Sequence, residues 1–82
     1  MNPLQIDKRA LDELDSDGEY SAILVEYPDL MSAEEVAEVL SVKQSTVNTL
    51  LREGRMRGVK VGKVWRVTKT AFVRYMKENE NG

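Results

Sequence analysis

Only three residues, Ser41-Val42-Lys43, separate two stretches of helical spacing, and this short link constrains the fold more than any other feature of the chain. So brief a connection forces a sharp change of direction, so the two helices must meet at an angle with their apolar sides together. The leading stretch, Ser32 to Leu40, opens with a capping box. Ser32 stands at the N-cap and Glu35 three residues on, each placed to bond the other's backbone N–H. Met31 and Val36 occupy the positions of a hydrophobic staple, and the acids Glu34 and Glu35 suit the helix dipole. Ala33, Val36, Ala37 and Leu40 then share one face. The trailing stretch, Gln44 to Glu53, is stopped by Gly54, and its Val47, Leu50 and Leu51 turn to the core at i, i+3 and i+4. Val42 is expected to plug the angle between the helices.

Beyond Gly54, the segment Arg57-Gly58-Val59-Lys60-Val61-Gly62-Lys63-Val64-Trp65-Arg66-Val67 reads as a basic hairpin. A two-residue turn at Gly62-Lys63 would set Trp65 on the side of Lys60. An odd loop, Gly62-Lys63-Val64, would gather Val59, Val61, Trp65 and Val67 on one face and leave Lys60 and Arg66 on the other. The odd loop is preferred because it buries the only tryptophan. Thr68 is placed to cap a last helix from Lys69 to about Lys77, which returns Phe72, Tyr75 and Met76 to the core.

Upstream, residues 1–18 read as an acidic, flexible N-terminal arm with one amphipathic stretch, Ile6 to Leu14, and a turn at Asp15-Ser16-Asp17-Gly18. That turn resembles the start of a calcium loop, but the further oxygen ligands and the terminal Glu are missing, so it is read as a plain turn or helix start. Tyr20, Ile23, Leu24 and Tyr27 at i, i+3, i+4 and i+7 favour a short helix that Pro28 closes. The expected organisation is the arm over 1–18 and one domain over 19–80, mainly α with a small β-hairpin.

Composition narrows the function. With no histidine and no cysteine, the commonest general base, the commonest metal ligand and the thiolate nucleophile are all missing, so no enzyme, metal site or cofactor is expected. No apolar run approaches a membrane span and no signal peptide is evident, so a cytoplasmic protein with no membrane partner is expected. The net charge of −2 hides a strong polarity. Residues 1–38 hold Lys8 and Arg9 against eleven acids, a net −9, while residues 39–82 hold ten cations against Glu53, Glu78 and Glu80, a net +7. A polyanion responds to such a local field within about a Debye length, ~8–10 Å.

The solvent stripe of the second helix is Ser45, Asn48, Thr49 and Arg52, with Gln44 at its leading end. Hydroxyls, amides and one guanidinium are the groups that read base edges and phosphates. Two short helices on a tight turn, followed by a basic ribbon, suit a protein that lies across a DNA groove.

The order helix, turn, helix, wing, helix over about residues 30 to 78 resembles the excisionase-type helix-turn-helix family, small relatives of the MerR DNA-binding domain. The resemblance is carried by Met31 through Leu40, by Ser45-Thr46-Val47, by Leu51-Arg52-Glu53-Gly54 and by Val59 through Val67. It implies a winged helix-turn-helix fold and double-stranded DNA as partner. The biological role would be that of a recombination directionality factor or a small transcriptional regulator of a phage or mobile element. It places the second helix in the major groove through Gln44, Ser45, Thr46, Asn48 and Thr49. The wing and its approach, Arg55, Lys60, Lys63 and Arg66, fall on the backbone or minor groove, and Arg52 closes the helix stripe. An integrase or recombinase, or further copies on adjacent sites, would be protein partners. Lys43, Ser41 and Thr49 depart from the family's usual residues at those places. The alternative function is a protein-interaction module that keeps the fold and uses the acidic N-terminal segment on a partner.

Overall fold

The capping box forms as its spacing demands. Ser32 Oγ accepts from the Glu35 N–H at 3.1 Å, and Glu35 Oε1 accepts from the Ser32 N–H at 2.9 Å. The staple closes beside it, with Met31 and Val36 both fully buried. Around this start the computed structural model, which describes residues 8–80, runs α1 (Lys8–Leu14), α2 (Glu19–Ile23), β1 (Leu30–Ser32), α3 (Ala33–Leu40), α4 (Gln44–Arg52), β2 (Val59–Val61), β3 (Val64–Thr68) and α5 (Lys69–Glu78). The fold is mainly helical with a small antiparallel sheet in the order β1-β3-β2, a winged helix-turn-helix.

The turn between α3 and α4 is tight because Ser41 takes a left-handed conformation (φ 56°). Its N–H bonds the Glu38 carbonyl, and the Val42 N–H bonds the Ala37 carbonyl. That geometry swings Val42 outward. It is 42% exposed and does not plug the angle, which is filled by Val36, Ala37, Val47 and Leu51. At the far end Thr68 Oγ1 accepts from the Ala71 N–H and caps α5, which delivers Phe72 and Val73 fully into the core with Tyr75 and Met76 packed beside them.

Two features correct the sequence reading of the wing. The hairpin uses the two-residue turn: Val61 pairs with Val64, Lys60 with Trp65 and Val59 with Arg66. Gly62 at the first turn position has φ 64°, the placement that type II′ hairpins favour and that lets the strands keep their twist. Trp65 still shares a face with the buried Val67, but Lys60 joins that face, while Val59 and Val61 move to the other. Trp65 is therefore half-buried, and Val61 and Val64 are each 48% exposed. The sheet also gains β1, which the sequence did not announce. Met31 pairs with Val67, so two fully buried side chains meet across the central strand.

The N-terminal expectation falls partly on residues 1–7, which lie outside the described residues. From Lys8 the amphipathic stretch is helical, and Leu11 and Leu14 pack against the core. Helix α2 is shorter than the Tyr20–Tyr27 spacing suggested. It ends at Ile23, which is 55% exposed, while Tyr20 and Leu24 are buried. The turn before it is organised by Asp15, whose carboxylate is buried. Oδ1 accepts from the Tyr20 N–H, and Oδ2 accepts from the Ser21 N–H and the Ser21 hydroxyl. Burial pushes this carboxyl up, but the Ser21 hydroxyl, the two N–H groups and Lys77 together hold it below its usual value. Tyr20 in turn donates its hydroxyl to Glu80 at 2.7 Å, and this bond is the main reason the phenol is pushed up to about 12.

Candidate nucleic-acid interface

Helix α4 sets Gln44, Asn48 and Arg52 one turn apart along one side, because residues four apart stack on a helix surface. Opposite them stands the wing, with Lys60 on β2, Lys63 in the turn and Arg66 on β3. Together these six side chains line a groove of about 500 Å³, which is also lined by Ser32, Ala33 and Glu34 at the start of α3 and by Val64 and Trp65 of β3.

Several of these groups are held in place. Lys60 Nζ lies 5.7 Å from the centroid of the Trp65 ring, its cross-strand partner, which fixes the ammonium over an apolar plate. Arg66 Nη1 donates to the Trp65 carbonyl at 3.0 Å. Arg52 Nη2 donates to Thr49 Oγ1 at 3.3 Å, and that hydroxyl donates to the Ser45 carbonyl at 3.0 Å. The Thr49 hydroxyl is thus already engaged on both sides. The side chains of Gln44, Asn48 and Lys63 make no hydrogen bond or ion pair among the described residues, which leaves their donors and acceptors open to a ligand.

Not every residue singled out from sequence converges here. Ser45, Thr46 and Thr49 lie on α4 but do not line the groove. Arg55 lines a separate concavity of about 260 Å³ with Arg57, Arg74 and Glu78, and it pairs with Glu53 at 3.4 Å. Sequence reasoning missed Glu34, explained there by the helix dipole, and Trp65, assigned there to the core. It also missed Gly58, where the chain passes directly over Leu51 and Trp65 and so seats the wing against α4.

Chemically the groove offers amides that donate and accept, and cations that only donate, on a surface about as long as two turns of helix. Among the described residues no group of His, Cys, Asp or Glu could hold a metal ion, and no helix is long and apolar enough to cross a membrane.

Residues 30–80 match a family model described as a helix-turn-helix domain, which covers more than half of the chain. No curated protein and no solved structure matches.

Proposed function

The chain belongs to the helix-turn-helix domain family, whose members bind DNA, and from that premise we propose that it is an excisionase-type protein. In this proposal it acts beside the attachment sites of a phage or mobile element, or regulates transcription there, without catalysing a reaction itself. Helix α4 enters the major groove and the wing lies on the adjacent backbone or minor groove. Gln44 and Asn48 read base edges, since an amide pairs bidentately with adenine. Arg52, Lys60, Lys63 and Arg66 neutralise phosphates. Ser45, Thr46 and Thr49 support the first turns of α4 against the sugar-phosphate chain, and Arg55 contributes at the periphery.

The observation that carries this reading is the convergence in one groove of a polar helix face and four cations, one from α4 and three from the wing. A groove of this size on one small domain covers one short site, so further copies on adjacent sites, or a recombinase, complete the specificity.

A duplex titration over a range of salt tests it. Four phosphate contacts give a log–log slope of about −4. Asn48→Ala should lower affinity for a selected best site by about tenfold while leaving random duplex nearly unchanged. A slope near zero rejects DNA as the ligand and favours the protein-interaction function, for which the exposed Ile23 and Val25 beside Glu26 offer a surface.

A further inference from the structure

The groove that holds Gln44, Asn48 and four cations also holds one acid, Glu34. The fold does not require it there. The capping box is complete with Ser32 and Glu35 alone. Glu34 is exposed, and among the described residues its carboxylate makes no hydrogen bond and no ion pair, although Arg52, Lys60, Lys63 and Arg66 line the same groove. A solvent-facing carboxylate helps the helix dipole, but Glu35 in the same turn already serves that end.

We propose that Glu34 is a specificity-determining residue, whose carboxylate accepts a hydrogen bond from an exocyclic amino group on a base edge, N4 of cytosine foremost, and repels phosphate from that position. The inference rests on this groove being the DNA-binding surface. An ionised carboxylate only accepts. In the major groove the donors are the amino groups of cytosine and adenine, whereas guanine and thymine present acceptors, and phosphate oxygens are acceptors as well. A Glu34 pressed against any of these acceptors is a desolvated, unpaired charge. The neighbouring amides cannot exclude in this way, because Gln44 and Asn48 can turn either a donor or an acceptor to the base. Gln44 and Asn48 therefore supply attraction, and Glu34 supplies attraction to one base type together with repulsion of the others.

The experiment uses the full chain, a site selected by that chain from a random duplex pool, and a random duplex of equal length. Affinities are measured by fluorescence anisotropy for the unaltered protein, Glu34→Gln and Glu34→Asp. Glu34→Gln should bind random duplex several-fold more tightly, lower the ratio of selected to random affinity by about tenfold, and relax base preference at one position on reselection. Glu34→Asp keeps the charge on a shorter stem, so it should still disfavour random duplex yet lose preference at that same position. An equal gain on both duplexes in Glu34→Gln, with the ratio intact, would make Glu34 a simple charge brake and overturn the inference. So would unchanged affinities. Neither of those outcomes touches the DNA-binding reading, whereas a salt slope near zero in the unaltered protein removes both.

Discussion

Replacing Gly58 with alanine should unseat the wing and weaken the fold by roughly 1–3 kcal/mol, the usual range for overpacking a tight site. A Cβ at this position would lie 2.6 Å from Leu51 Cδ2, 3.1 Å from the Arg66 carbonyl oxygen and 3.4 Å from Trp65 Cε3. Carbon atoms in contact prefer about 3.5–4.0 Å, so the first approach is too short by nearly an ångström. The Leu51 methyl ends a flexible side chain, but Leu51 is only 4% exposed, and its tip moves only by displacing core neighbours. The Arg66 carbonyl belongs to the central strand β3, which is paired with β1 on one side and β2 on the other, so its backbone yields little. The least costly relief is a shift of the chain at 57–59 away from α4, which carries Lys60 and Lys63 away from Gln44 and Asn48. For a domain of this size ~1 kcal/mol moves the melting temperature by about 4–8 °C, so a fall of roughly 5–20 °C is expected by circular dichroism. Duplex affinity measured below both melting temperatures should fall as well. Leu51→Val removes the δ-carbons at a cost of about 1 kcal/mol, so the Gly58→Ala penalty should be smaller in that background. An unchanged melting temperature, or the same penalty in both backgrounds, would falsify the steric account.

Two further outcomes follow from the backbone and from the buried carboxylate. Ser41→Gly should raise stability by about 0.5–1 kcal/mol in a thermal melt, because the left-handed conformation costs a non-glycine residue roughly 1–2 kcal/mol, while glycine's extra chain entropy returns part of that. Asp15 has its carboxyl held low in the folded chain, so its stabilising effect is complete above the ordinary carboxylate value of 3.8 and is lost as pH falls through the lower folded value. Denaturant titrations should accordingly show Asp15→Asn weaker by about 1–2 kcal/mol at neutral pH, with the gap to the parent closing on acidification; a constant gap would refute it.

Local signals were the legible ones. The Ser32–Glu35 box, the Met31–Val36 staple, the Thr68 cap and the Val47–Leu51 face each depend on residues within four positions of one another, and each forms as spacing dictates. Strand β1 was not legible, because three residues are too few for alternation and the Met31–Val67 pair joins distant parts of the chain. The hairpin register went the other way because turn chemistry outweighed burial: Gly62 favours the two-residue turn, and Trp65 gains its cover from Lys60 and from the chain at Gly58. Gln44, Asn48 and Arg52 could be read as a stripe, but their meeting with Lys60, Lys63 and Arg66 depends on where Gly58 lets the hairpin sit. Asp15 was hidden for a related reason. A turn rich in Asp and Ser looks the same whether its carboxylates face solvent or, as here, bond the next helix's N–H groups.

The charge polarity of the chain takes on a different meaning once the acids are placed. Four of the eleven acids preceding α4 are fixed to the body of the domain. Asp15 holds the start of α2, Asp29 pairs with Lys69 at 3.8 Å, Glu35 closes the capping box, and Glu38 accepts from the Tyr27 hydroxyl at 2.7 Å. The N-terminal segment is tied to α5 as well, through the Tyr20–Glu80 bond and Lys77 lying 5.2 Å over the Tyr20 ring. A deletion up to Pro28 would therefore remove Tyr20 and Leu24 from the core along with the charge, and an unfolded product would say nothing about electrostatics. Charge can be separated from packing only at exposed acids such as Asp12, Glu19 and Glu26. Meanwhile the groove keeps four cations with no acidic partner among the described residues. Acids engaged elsewhere in the domain and four cations left open along the groove, against the single acid Glu34, give the domain an oriented field. In the proposed DNA-binding reading, such a field would turn an approaching polyanion toward the groove before any base is read.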